Sequence, residues 1–96
     1  MGLFLVERYL PGLASEQELA SLVERDRAAA LAVSARHLQT IYVPADETCF
    51  TLFEAPSADL LTAICDRFGL GYRSVCPALT VFSPGTGEGY NDDKEP

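Results

Sequence analysis

His37 is the only histidine among the 96 residues. Imidazole titrates near neutral pH, which makes His37 the first side chain to weigh as a general base or a metal ligand. A base of this kind is usefully oriented by a carboxylate, and the strand register derived below sets Glu54 opposite His37. His37 and Glu54 are therefore the candidate acid–base pair and the candidate metal ligands. The plainer reading is a cross-strand charge pair at one end of a sheet. Glu7 is a further carboxylate, placed several strand steps from Glu54, too far to share a proton. It suits either a polar anchor in a cleft or an ion pair with an arginine such as Arg73. Thr40, Tyr42, Cys49, Thr51 and Phe53 form a third group. They set two hydroxyls, a phenol and a thiol beside an aromatic wall, as in the lining of a small-molecule pocket, and they suit a subunit interface equally. The cysteines, Cys49, Cys65 and Cys76, are spaced by fifteen and ten intervening residues. They make no CxxC pair, so neither a zinc knuckle nor a thioredoxin-type site is indicated. They read as small buried hydrophobes in a reducing compartment. No basic residue is expected to adjoin Cys49 and stabilise a thiolate.

Composition narrows the partners. The net charge is −7, from 7 basic and 14 acidic residues. No basic stripe exists, so a phosphate backbone would be repelled, and nucleic acid is excluded as a partner. The Pro84–Gly89 run is rich in glycine but lacks the Lys-Ser/Thr ending of a phosphate loop. The N-terminal apolar run is stopped by Glu7 and Arg8 and has no basic region before it, so it is not a secretory signal. No apolar stretch has the length of a membrane span, which makes the expected location cytoplasmic, with no membrane partner.

Hydrophobic periodicity supplies the elements that hold these residues. Leu3 to Tyr9 alternates as a strand with both faces apolar at its start, which suits a central position. Pro11-Gly12 turns the chain. Ser15-Glu16-Gln17-Glu18 is a capping box opening a helix to about Ser34, with Leu19, Leu22, Val23, Ala29, Ala30 and Val33 as its apolar stripe. Asp26 interrupts that stripe and is read as lying at its border, paired with a nearby arginine. His37–Val43 and Thr48–Glu54 are strands joined by a four-residue loop, hence a hairpin. A symmetric loop pairs Val43 with Thr48, Tyr42 with Cys49, Ile41 with Phe50, Thr40 with Thr51, Leu38 with Phe53 and His37 with Glu54, unless a bulge shifts the register. Ser57 caps a second helix carrying Leu60, Leu61, Ile64, Cys65 and Phe68, and Gly69 is placed to end it. Ala78–Phe82 reads as a fourth strand.

The order β-α-β-β-α-β with right-handed crossovers predicts an α+β, ferredoxin-like sandwich: a four-stranded antiparallel sheet in order 4-1-3-2 with both helices on one face. Residues 1–83 make this domain, and 84–96 form an acidic flexible tail. Ile41, Val43, Phe50 and Leu52 form a purely apolar face, assigned here to the helices. The mixed face of Leu38, Thr40, Tyr42, Cys49, Thr51 and Phe53 is left to meet a second copy of the chain in a homodimer.

Phe4-Leu5-Val6-Glu7-Arg8, Tyr42-Val43, Phe53-Glu54-Ala55-Pro56 and Gly69 fall in an order that resembles an uncharacterised bacterial family of small, dimeric, ferredoxin-like proteins that includes a nickel-binding member. The resemblance covers roughly residues 3 to 82. It implies the dimeric fold and brings nickel into question as a cofactor. Family members commonly carry a histidine two residues before the strand tyrosine and another in the second helix. Those positions hold Thr40 and about Ile64 here, and neither side chain replaces imidazole on nickel.

These readings lead to a small dimeric binding protein that holds a small molecule or a metal ion at the sheet face. The alternative is a cofactor-free enzyme of the dimeric α+β barrel type, a monooxygenase, cyclase or isomerase, by analogy of fold.

Overall fold

A computed structural model describes residues 1–13, 15–67 and 71–81. The elements run β1 (Gly2–Tyr9), α1 (Glu16–Leu31), β2 (Arg36–Val43), a single 3₁₀ turn (Pro44–Asp46), β3 (Thr48–Ala55), α2 (Ala58–Arg67) and β4 (Ser74–Ala78). The sheet is antiparallel throughout, in order β2-β3-β1-β4, which is the expected order read backwards. No described helix is long and apolar enough to cross a membrane.

The caps act as their residue types require. Ser15 Oγ accepts from the Glu18 amide at 3.2 Å, and Ser57 Oγ accepts from the Leu60 amide at 3.3 Å. Helix α1 ends before Ser34 because Ser34 turns left-handed (φ 62°), and the Ala35 amide folds back to the Ala30 carbonyl at 2.9 Å. The expected end of α2 at Gly69 lies outside the described residues, as does the expected tail at 84–96.

In the β2–β3 hairpin the loop closes as a 3₁₀ turn followed by Glu47 in a left-handed conformation (φ 51°). The expected pairs from Val43–Thr48 through Thr40–Thr51 are all present. Beyond Gln39 a bulge at Leu38 shifts the ladder by one, so His37 pairs with Phe53 and Arg36 with Glu54. The expected His37–Glu54 pairing is therefore corrected.

The fourth strand also departs from expectation, starting at Ser74 rather than Ala78. The Arg73 amide donates to the Glu7 carbonyl at 2.6 Å and starts the ladder there. Pro77 is tolerated within it because β4 is an edge strand with one side unpaired.

The largest correction concerns the covered face. Val6 and Arg8 of β1 and Cys49, Thr51, Phe53 and Ala55 of β3 lie beneath the helices, buried against Asp26, Ala29 and Ala30 of α1 and Leu61, Ile64 and Cys65 of α2. Of Ile41, Val43, Phe50 and Leu52, the group expected under the helices, Ile41, Phe50 and Leu52 line a hollow on the opposite face. Small side chains on both layers let α1 approach the sheet closely. The charge that Arg8 carries into that layer is met by Asp26.

Candidate functional site

Two regions follow from this geometry, one on each face of the sheet. Beneath the helices a polar ladder crosses the core. Arg8 Nη1 donates to Asp26 Oδ1 at 3.0 Å, and Nη2 donates to Asp26 Oδ2 at 2.5 Å and to Thr51 Oγ1 at 2.8 Å. Thr40 Oγ1 lies 3.4 Å from Thr51 Oγ1, and His37 Nε2 lies 2.6 Å from Thr40 Oγ1. Cys49 Sγ lies 3.7 Å from Thr51 Oγ1. The His37 ring also meets the Phe53 ring edge-on, with centroids 5.8 Å apart.

The electrostatics follow from burial and neighbours. Desolvation alone would lower the Arg8 pKa, but the hydrogen bond and charge of Asp26 outweigh it and leave Arg8 above its ordinary value. Desolvation holds His37 below the usual imidazole range; Asp26 opposes this, while Arg27 and Arg8 reinforce it. Desolvation first, then the charge of Glu47, raises the Tyr42 phenol. Burial pushes the Cys65 thiol up, against a smaller lowering by Arg8.

Thr40, Tyr42, Cys49, Thr51 and Phe53 do share one face, as alternation requires, but it is the face that the helices cover. Cys49 and Thr51 are 0 % exposed. Tyr42 is half-buried, and its hydroxyl donates to the Leu10 carbonyl at 3.1 Å. This group is thereby a packed polar layer within one chain and not the lining of a cleft between two. A basic residue does adjoin Cys49: Arg8 is its cross-strand partner, already engaged by Asp26.

The other face of the sheet is open. Leu5, Ile41, Phe50 and Leu52 border a hollow of about 230 Å³, with Gln39 and Thr80 as its polar lining. Ile41 is 52 % exposed. Two ion pairs stand on this face. Glu7 meets Arg73 at 3.4 Å, and Glu54 meets Arg36 at 2.9 Å. The guanidinium of Arg73 also lies 5.6 Å from the centroid of the Tyr9 ring. Glu7 is thus separated by the sheet from the threonines and Cys49 with which it was grouped.

The candidate ligands His37 and Glu54 are not brought together. His37 points under the helices while Glu54 stands on the open face against Arg36. Thr40 Oγ1 is engaged by His37, and Ile64 is buried in the core. Among the described residues no group of three or more His, Cys, Asp or Glu side chains is arranged to hold a metal ion.

The sequence asks for an arginine beside Asp26 at the border of the helix stripe; it does not identify Arg8 or show that the pair is buried. The pair's signal was present as two matched interruptions. Arg8 breaks the apolar row of Phe4 and Val6, and Asp26 breaks the apolar stripe of α1.

No family model matches the sequence, and no curated protein matches it. Among solved structures the chain is similar to the crystal structure of SCO4226 from Streptomyces coelicolor A3(2), with a TM-score of 0.73 and 20 % identity over 82 % of this chain and 99 % of that one. At that identity the likeness shows a shared ferredoxin-like α+β fold.

Proposed function

We propose that the protein is a small binding module that pairs with a second copy of itself through the open sheet face and holds a small, largely apolar molecule between the two sheets. The observation that carries this reading is the hollow bordered by Leu5, Ile41, Phe50 and Leu52. A sheet with two helices can cover one face, and a contiguous apolar patch left on the other marks an interaction surface. A two-fold axis buries such a patch against itself. Gln39 and Thr80 supply the few polar groups that orient a ligand in an apolar site. The Glu7–Arg73 and Arg36–Glu54 pairs leave that face without an unpaired charge from these four residues. An organic ligand suits this lining better than the nickel ion raised by the family resemblance.

Sedimentation velocity of the full chain at micromolar concentration, together with native mass spectrometry, tests the reading. The expected result is a dimer that retains a small organic molecule. A monomer with no added mass would overturn it.

A further inference from the structure

The ladder between β4 and β1 stops at Ala78, and residues 79–81 belong to no helix or strand. Yet Leu79-Thr80-Val81 is a run of β-prone residues, part of the segment whose alternation reads as a strand. Leu79 is 95 % exposed and Val81 92 %, the highest values among the large apolar side chains described. Ala78, Leu79 and Thr80 border the hollow shared with Gln39 and Ile41, so the segment leaves β4 on the open side of the sheet. At the far edge, β2 has one side unpaired along its eight residues. An unpaired strand edge is a template for a further strand.

We infer that Leu79–Val81 is an exchange arm that adds a strand to the free edge of β2 in a second copy of the chain, which returns its own arm. The inference rests on the pairing of open faces proposed above and supplies the side walls of the cleft between them. Sheets packed face to face lie about 10 Å apart. Three extended residues span about 10 Å, so an arm rising from the open side reaches the facing layer. The chain's own β2 lies three strand spacings from β4, about 14 Å, which is beyond that span. A two-fold axis running along the strands sets β4 of one copy over β2 of the other, which brings arm and edge together. The edge of β4 is the poorer acceptor, because it is five residues long and Pro77 carries no N–H. On β2 the bulge at Leu38 leaves Gln39–Val43 in regular register. The arm brings backbone hydrogen bonds for pairing, and Leu79 and Val81 lose their exposure against the second copy. The hollow on either sheet is therefore incomplete until both copies are present.

Isotope-filtered Overhauser spectroscopy on a mixture of labelled and unlabelled full chain tests the arm. The expected result is a set of backbone contacts between residues 79–81 of one copy and Gln39–Val43 of the other. Thr80→Pro and Val81→Pro, made separately, remove adjacent backbone donors, one of which faces β2 in any register. Both positions lie beyond every described helix and strand, so circular dichroism should show the wild-type fold. One of the two variants should weaken dimerisation at least tenfold in sedimentation equilibrium. A dimer without those contacts, or one that both variants leave at wild-type strength, would overturn the arm and leave the pairing of open faces standing. A monomeric wild type would overturn both.

Discussion

Arg8 on β1 and Asp26 on α1 meet through two parallel hydrogen bonds, with side chains that are 2 % and 0 % exposed. The pair ties the first helix to a central strand across 18 residues of chain. Two charges taken out of water stabilise little as a pair, but either one left alone is costly. Asp26→Ala should therefore destabilise the fold by about 3–5 kcal/mol, read from urea unfolding. The double variant Arg8→Met/Asp26→Leu should recover most of that loss. Equal destabilisation of the single and double variants would show that the pair is not what matters there.

Thr51 contributes the third contact of the same guanidinium. Thr51→Val keeps the shape and leaves Nη2 with one partner fewer, at a cost of about 1–3 kcal/mol. Thr40→Val, at the half-buried end of the ladder, should cost less. A reversed ranking in thermal melts would contradict the ladder.

His37 should make stability depend on pH in a defined window. Its folded pKa lies below the ordinary 6.5. Above 6.5 neither state holds the proton, and the full stability is present. As pH falls through 6.5 the unfolded chain gains a proton that the native state resists, so stability declines until the folded pKa is passed. His37→Gln should flatten that part of the profile. An NMR titration of His37 that placed its midpoint above 6.5 would refute the assignment.

Glu47 holds two loops together. Its carboxylate accepts from the Gly12 amide at 3.1 Å and from the Tyr9 hydroxyl at 3.3 Å, and its backbone is left-handed. Glu47→Ala loses both contacts and keeps the backbone strain. Glu47→Gly loses the contacts but relieves the strain, so it should be more stable than the alanine variant by about 1 kcal/mol. Calorimetry of the two variants decides this.

Self-association through the open face predicts that Ile41→Glu weakens the dimer at least tenfold while leaving the fold intact, because Ile41 is half exposed in the single chain. Each chain carries a charge of −7, so added salt should strengthen association by screening repulsion. Sedimentation equilibrium at two ionic strengths checks both expectations.

Local order in the sequence already determined the first three strands, both capped helices, their sequence in the fold, and the hairpin register from Thr40 to Val43; the fourth strand, expected at Ala78–Phe82, lies at Ser74–Ala78. The residues concerned act on near neighbours: Ser15 on Glu18, Ser57 on Leu60, and the Pro44 turn on the strands beside it. Alternation likewise determined that Thr40, Tyr42, Cys49, Thr51 and Phe53 share a face. Which face the helices cover was decided only in three dimensions, because a period of two distinguishes two sides without naming the inner one. That choice depends on Arg8 finding Asp26 from another element and on small side chains meeting across the layer. The bulge at Leu38 was likewise invisible locally: it takes the backbone ladder to turn His37 away from Glu54 and give Glu54 to Arg36.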